Sequence, residues 1–323
     1  MKKKIIVTGG LGYIGSHVCL ELIKSGHTPI VMDNMENSEI STYNALCEIN
    51  KEPIQLHRLD LRNQSGLKTA LKVTEYDAVI HTAGYKDGTE SVYNPQKYFL
   101  NNIGSTLNII DLCKKPIVFS SSASIYGDQE GLSAKENSPV GPKTPYGYSK
   151  LIAEDMFIKM NGVVILRYFN VIGNDDYQKF GELKNPKVKN VLQHLYDSAW
   201  NVETFTINGN QYSSVDGTPI RDFIDVRDLA KAHVKAVEKV IEDSESVKIY
   251  NVGTGSGVTI LELAEMVDTL TGVEYEIGLP KSIDIERSVA DIELIHKELG
   301  WQPEIPIDMS IYSGWKRYEH VNK

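Results

Sequence analysis

An apolar strand that runs straight into a glycine-rich turn and then a helix leaves a chain few folding options. Lys4–Thr8 is such a strand, Gly9-Gly10-Leu11-Gly12-Tyr13-Ile14-Gly15 is the turn, and residues 15–25 carry a helical pattern. Without Cβ atoms, Gly9 and Gly12 let the backbone turn tightly and come close to a bound anion. Gly15 lets the helix pack against the strand. Further apolar runs follow at 29–32, 54–59, Ala78–His81, 117–119 and Val163–Tyr168, with helical patterns at 65–73, 95–113 and 145–160. Strands that alternate with helices build a parallel sheet with right-handed crossovers.

The fold class is therefore α/β, a Rossmann-type doubly wound parallel sheet. After Gly173 the character changes. Residues 174–189 are polar and punctuated, 191–200 read as a helix, 204–208 as a strand, and 208–219 as a Gly/Ser/Asp-rich loop. Residues 228–241 return to a helical pattern, and Val247–Val252 reads as a strand able to rejoin the first sheet. Helical patterns at 260–270 and 292–299 complete the chain. This predicts a dinucleotide-binding unit from residues 1–173 plus 221–253. A smaller, mostly C-terminal α/β substrate domain takes residues 174–220 plus 254–323.

Composition narrows the function. Of 323 residues, 41% are hydrophobic and 24% charged, with a net charge of −9. Such an acidic chain is a poor partner for nucleic acid, whose phosphates demand a basic surface. The three cysteines, Cys19, Cys47 and Cys113, are widely spaced and form no CxxC pair. No metal site is therefore expected. The apolar run behind the N-terminal lysines stops at Thr8, too short for a signal peptide, and no stretch reaches membrane-spanning length. The expectation is a cytoplasmic protein without a membrane partner.

Gly9, Gly12 and Gly15 stand between a strand and a helix whose free N-terminal N–H groups suit a pyrophosphate. Asp33 ends the second strand, where a carboxylate accepts hydrogen bonds from ribose hydroxyls and repels a 2′-phosphate. Asn34, Met35, Glu36 and Asn37 supply no arginine to favour NADP. The cofactor expected is NAD.

Tyr146-Gly147-Tyr148-Ser149-Lys150 opens a helical pattern. Tyr146 and Lys150, at i and i+4, share one helix face. A tyrosine hydroxyl ordinarily titrates near about 10. A neighbouring ammonium stabilises the phenolate and makes Tyr146 a usable general base, and a positively charged nicotinamide would add to the effect. Tyr93 and Tyr312 also have lysine at +4, so the spacing alone selects nothing. Only Tyr146 has Ser120-Ser121-Ser122 upstream, at the carboxyl end of a strand, where such sheets bind ligands.

These residues resemble the extended short-chain dehydrogenase/reductase family and, within it, the UDP-glucose 4-epimerases. The likeness runs over nearly the whole chain. It is carried by Thr8–His17, Asp33-Asn34, Asp60-Leu61, Ala83-Gly84-Tyr85-Lys86, Glu90-Ser91-Val92, residues 119–128 and 145–150, Leu166-Arg167-Tyr168-Phe169-Asn170, Arg221-Asp222-Phe223, and Tyr250-Asn251-Val252-Gly253. The resemblance implies an isomerase that inverts C4 of a UDP-hexose. Tyr146, assisted by Ser122, takes the C4 hydroxyl proton while C4 gives hydride to NAD. The 4-keto sugar then turns over and takes the hydride back on its other face. Lys150 would tune Tyr146 and hold the nicotinamide ribose.

The same resemblance gives the cofactor Gly9, Gly12, Tyr13, Ile14, Gly15, Asp33, Asn34, Asn37, Ser38, Asp60, Leu61, Thr82, Ala83, Gly84, Lys86, Asn101 and Phe169, besides Tyr146 and Lys150. It gives the UDP-sugar Asn170, Asn190, Val191, Ile207, Arg221, Lys281, Asp284 and Ser288, besides Ser122 and Tyr146. Arg221 suits a diphosphate through its bidentate fork. It also implies a homodimer formed through the helices at 95–113 and 145–160.

The chain departs from the family pattern at three places. Lys281-Ser282-Ile283-Asp284 replaces an Arg-x-Gly-Asp diphosphate motif, keeping the charge but losing the fork. Asn208 stands where the family has a uracil-side aromatic. Ser288 is small where a bulky residue restricts relatives to glucose and galactose, leaving room for an N-acetyl group. A 4,6-dehydratase would need an acid and a base after Ser122, and Ala123-Ser124 supply neither. A 4-epimerase of another nucleotide-sugar, such as a UDP-uronic acid, passes that test. A non-catalytic NAD-binding scaffold on the same fold is the rival outside enzymes.

Overall fold

The structure is a computed structural model that describes residues 1–129, 131–181, 190–280 and 285–323. The strands β1 (Lys4–Thr8), β2 (Thr28–Asp33), β3 (Gln55–Arg58), β4 (Ala78–His81), β5 (Ile117–Ser122) and β6 (Val163–Tyr168) belong to one sheet. The chain then leaves through β7 (Asn170–Ile172), β8 (Phe205–Asn208) and β9 (Ile220–Asp225), and returns as β10 (Val247–Val252). The sheet order is β10-β6-β5-β4-β1-β2-β3, with every pair parallel. β1 and β4 are neighbours where the winding reverses, and a ligand cleft opens beyond the carboxyl ends of strands at such a switch point.

Both faces of the sheet are covered, which is why its strands read as apolar runs rather than alternating ones. Ile5, Val7, Ile80 and Leu166 point to one side, against α1 (Tyr13–Lys24), α2 (Ile40–Asn50) and residues 229–240. Ile6, Val79, Phe119 and Ile165 point to the other. There they meet α3 (Gln64–Val73) and, beyond α4 (Gly88–Tyr93) and α5 (Pro95–Tyr98), the helices α6 (Gly104–Leu112) and α7 (Pro145–Phe157). The 95–113 pattern is not one uniform helix, because a π-helical turn, Phe99–Ile103, lies between α5 and α6. The sequence reading missed α2. That helix buries only Ala45 and Leu46, too few positions to print a period, and it ends on Lys51 at φ +61°.

A second, smaller set of strands hangs from the sheet. β9 pairs with β7, with β11 (Gly257–Thr259) and with β13 (Arg287–Ser288), while β8 pairs with β12 (Tyr275–Gly278). Residues 170–172 and 221–225, grouped by sequence with the larger unit, thus pair with the smaller sheet. The helices α8 (Val191–Asn201) and α10 (Ile260–Thr271) start on capping boxes, Asn190–Gln193 and Thr259–Glu262. α9 (Val226–Glu242) carries the chain back to the main sheet, its N-terminus capped by Asp225. α11 (Glu293–Leu299) packs beside α9 and β10, and α12 (Ile307–Asn322) closes the third core through Ile311. The sequence reading missed α12 as well.

Two histidines sit fully inside the main sheet's packing. His233 of α9 has Nδ1 2.9 Å from the Leu229 carbonyl, so Nδ1–H donates there and Nε2 accepts from the Ser120 hydroxyl at 2.9 Å. His81 lies between Thr8 Oγ1, 2.7 Å from Nδ1, and Thr106 Oγ1, 3.3 Å from Nε2. Burial pushes His233 down to about 4 and His81 down to about 3, the latter helped by the nearby Lys150 ammonium. Between those values and the ordinary 6.5, the unfolded chain binds protons that the folded one refuses. The contribution of these two residues to stability is therefore fully present above pH 6.5 and is lost as pH falls toward about 4 and below. A His233→Gln variant should show a shallower loss, reduced by as much as about 1.4 kcal/mol per pH unit. Urea unfolding between pH 4 and 7 tests this, and identical slopes in the two proteins would contradict it.

Candidate active site

At Gly9, φ is +66°, and a Cβ would lie 2.9 Å from Ala83 Cα. At Gly15 it would lie 2.1 Å from the Gly9 carbonyl oxygen. These two glycines are required by the protein's own close packing. Gly12 differs, since a Cβ there meets only the Gly9 carbonyl, at 3.3 Å, and otherwise faces open space. Gly12 is also the N-cap of α1, with no side-chain cap and no acidic residue in the first turn. A helix N-terminus left open in this way, behind a glycine that leaves room, fits a diphosphate.

The turn borders a cavity of about 580 Å³, within the range of cofactor sites. Asp33 forms its wall and holds the turn in place. Its Oδ2 accepts from Leu11 N at 3.0 Å, and its Oδ1 accepts from Met35 N at 2.8 Å and Ser38 Oγ at 2.9 Å. Asn34, Asn37, Ser38, Asp60 and Leu61 line the same side. Arg62 grips Asp60 through Nε and a second nitrogen and holds its carboxyl below the usual range. Opposite lie Thr82, Ala83, Gly84 and Lys86, with Asn101 beyond. Thr82 Oγ1 donates to the Thr8 carbonyl at 2.6 Å, and the Lys86 ammonium stands 5.4 Å from the centre of the Tyr13 ring.

Tyr146 and Lys150 line the cavity too. Thr144 caps α7 by accepting from Gly147 N at 3.2 Å, and Pro145 follows at the first helical position, which fixes where Tyr146 emerges. The three serines at the end of β5 have separate duties. Ser120 Oγ bonds His233, Ser121 Oγ donates to Glu154, and Ser122 Oγ accepts from Ser124 N at 3.2 Å. Burial holds the Tyr146 hydroxyl above its ordinary value, and the Ser122 hydroxyl offsets part of that rise. The i,i+4 spacing brings the two residues to one cavity, but the ammonium donates to the Ser120 carbonyl at 2.8 Å and lies 5.0 Å from the Phe119 ring centre. Burial pushes Lys150 itself down to about 8, against the pull of Glu154.

The residues assigned to the sugar nucleotide are less gathered. Arg221 and Ser288 are register partners on β9 and β13, and Arg221 donates to the Ile220 carbonyl at 2.9 Å. Asn170, on β7, donates to the Asp222 carbonyl at 3.1 Å. Phe169, assigned to the cofactor, does not line the large cavity and is buried beside Tyr126, in a cluster under the serine turn. Asn190, just before Val191, lines a separate cavity of about 80 Å³ with Tyr13, Asn174 and Arg317. The Ile207 side chain is fully buried in the third core, so it presents no side-chain atom to a ligand. Lys281 and Asp284 lie outside the described residues.

Several cavity residues were given no site role by the sequence reading, among them Glu36, Tyr85, Tyr98 and Tyr168. Asn102 escaped it too, and it clasps the Tyr85 backbone by accepting from its N at 2.8 Å and donating to its carbonyl at 3.0 Å. Asn102 also donates to Ser149 Oγ at 3.0 Å. Their signal in the sequence was position: Tyr85 follows Gly84, Tyr98 and Asn102 lie near Asn101, Glu36 lies in the turn after Asp33, and Tyr168 precedes Phe169.

The model of the NAD dependent epimerase/dehydratase family matches residues 5–253. A UDP-glucose 4-epimerase of Bacillus subtilis (strain 168) is 36% identical, over 97% of this chain and 96% of that protein. A crystal structure of UDP-glucose-4-epimerase from Stenotrophomonas maltophila with bound NAD and formylated UDP-arabinopyranose superposes with a TM-score of 0.95 at 31% identity, covering 99% of each chain. The Bifidobacterium longum UDP-glucose 4-epimerase in complex with NAD+ and UDP gives 0.90 at 33% identity, over 99% of this chain and 98% of that one. With glycine turn, Asp33, Tyr146 and Lys150 on one cavity, and a match over most of its length, the chain belongs to the NAD dependent epimerase/dehydratase family.

Proposed function

We propose that this protein is an isomerase that reversibly inverts C4 of the hexose in a UDP-hexose, interconverting UDP-glucose and UDP-galactose, with NAD as a resident cofactor. The observation that carries this reading is the meeting of Tyr146 and Lys150 on the cavity behind the Gly9–Gly15 turn, beside a serine turn that has no further acid or base. The residues that would hold NAD are Gly12, Tyr13 and Ile14 at the α1 N-terminus, Asp33, Asn34, Asn37 and Ser38 on one wall, Asp60 and Leu61 beside them, and Thr82–Lys86 with Asn101 on the other. When bound, NAD supplies a reversible hydride acceptor and a positive charge.

Tyr146 takes the C4 hydroxyl proton on its phenolic oxygen and returns it when C4 is reduced again. Ser122 aligns that hydroxyl and shares the proton's hydrogen bond. Lys150 gives the buried floor a cation, held in place by the Ser120 carbonyl. Ala123 and Ser124 carry no group able to protonate a leaving hydroxyl, so the keto sugar is not diverted to dehydration. Arg221 and Ser288, side by side on β9 and β13, would meet the diphosphate and the C2 side of the sugar. Asn170, Asn190, Val191, Lys281 and Asp284 are assigned to the sugar nucleotide by resemblance.

Exposed apolar side chains on neighbouring helices, Leu100, Leu107, Tyr148 and Ile152, support a homodimer formed through the π-helical turn, α6 and α7. Among the described residues no helix is long and apolar enough to cross a membrane. We assign the protein to the cytoplasm.

A Tyr146→Phe variant should lose about 10²–10⁴-fold in kcat while still releasing NAD on denaturation. Proton NMR of C4 inversion over a panel of nucleotide-sugars reads the first quantity, and retained turnover would remove Tyr146 from its assigned role. Ser288 leaves room beside C2, so UDP-N-acetylgalactosamine should be turned over as well as UDP-galactose. Failure to convert the acetylated sugar would sink that assignment and leave the epimerase reading in place.

A further inference from the structure

The cofactor cavity has two lips. One is the turn after β2, at residues 34–38, and the other is the loop after β4, at residues 82–87. The Tyr85 hydroxyl joins them by donating to Glu36 Oε1. Both residues line the cavity, and neither takes part in the proton transfer at C4.

Each partner is braced from behind. The Tyr85 backbone is held at both N–H and carbonyl by Asn102. Its ring has the Lys97 ammonium 4.3 Å from the centre of its face and Tyr98 5.6 Å away at 53°. Lys97 and Tyr98 are themselves tied to Glu90, each at 2.8 Å. On the other lip, Glu36 N donates to Asn34 Oδ1 at 3.0 Å, and Asn34 Nδ2 reaches Glu36 Oε2 at 3.4 Å. Met35, between them, holds φ at +61°, which sets the turn that presents Glu36.

We propose that Tyr85 and Glu36 form a clasp that retains the dinucleotide, so that cofactor exchange waits on the opening of this bond. The inference rests on the reading of the cavity as an NAD site. An enzyme that returns the hydride in every cycle has no reason to exchange its cofactor, so a slow clasp does not limit it. A dehydrogenase that must release its cofactor after every turnover would be throttled by the same bond. A bond to a charged acceptor across the lips, with both partners braced, therefore suits the retained cofactor of an epimerase.

The test is exchange of bound NAD against excess isotopically labelled NAD in the purified full-length protein, followed by rapid filtration. Tyr85→Phe and Glu36→Gln should each speed exchange about ten-fold, as expected for losing or weakening one hydrogen bond to a charged acceptor. Because both variants act on the same bond, the double variant should be little faster than Tyr85→Phe alone. Unchanged exchange in both single variants overturns the clasp, and so does a double variant whose effect is the product of the singles. Glu36 is exposed, so Glu36→Gln decides the matter even if Tyr85→Phe folds poorly. A wild-type protein that takes up no NAD at all overturns the cofactor reading and the clasp with it, a result distinct from NAD that binds and exchanges at one rate in every variant.

Discussion

Arg167 and Glu154 meet inside the protein, 5% and 2% exposed, with Arg167 Nε 3.1 Å from both carboxylate oxygens and its NH2 2.7 Å from one of them. Two charges withdrawn from water this far need every remaining donor and acceptor satisfied, and breaking such a pair costs about 3–5 kcal/mol. The pair is well supplied. Ser121 donates to Glu154, and Arg167 NH1 reaches the Tyr126 hydroxyl at 3.0 Å and the Glu136 carbonyl at 2.8 Å. The Tyr126 hydroxyl donates to Asn251 Oδ1 at 2.7 Å, and Asn251 N donates to Glu136 at 2.8 Å. One network therefore ties α7, β5, β6, the serine turn and β10. Tyr146, Lys150 and Ser122 are all carried by elements fixed to it, so their relative positions are inherited from a buried ion pair that touches no substrate.

The smaller sheet is anchored by a similar device. Asp222 on β9 is fully buried and accepts from Thr254 N at 2.7 Å, Gly255 N at 3.0 Å and Ala290 N at 3.1 Å. A carboxylate satisfied by backbone donors from two later segments fastens β9 to the ends of β10 and β13. Arg221 and Ser288, register partners on β9 and β13, sit beside that fastening. Tyr13 reaches out from α1, its hydroxyl donating to the Gly173 carbonyl at 2.7 Å, and so links the glycine turn to the segment that leaves the main sheet.

Much of this was legible in the residues. Where a feature is enforced by backbone sterics or by strand burial, the sequence carries it openly. Gly9 and Gly15 cannot be anything larger, and the runs at β1, β4 and β6 are apolar because both sheet faces are covered. Features set by tertiary contact were not legible. α2 has almost no buried stripe, and β13 is two residues long and exists only because β9 lies beside it. The shared face of Tyr146 and Lys150 follows from helical spacing. The direction of the ammonium does not, because it depends on a carbonyl thirty positions away in sequence. At Ile207 motif position points to a ligand contact while the core takes the side chain, which leaves only its backbone for that part.

The π-helical turn at Phe99–Ile103 places consecutive residues on different duties, with Asn101 open to the cavity and Asn102 buried under Tyr85 and Ser149. A turn of this kind holds one residue more than an α-helical turn would. Removing that extra residue would restore regular winding and leave the flanking helices near their present alignment, because the wide turn absorbs the additional residue. Asn101 and Asn102 could then no longer both keep their places, one on the cavity and one under Tyr85. A deletion there would therefore read as a local loss at the cavity in a protein that still folds.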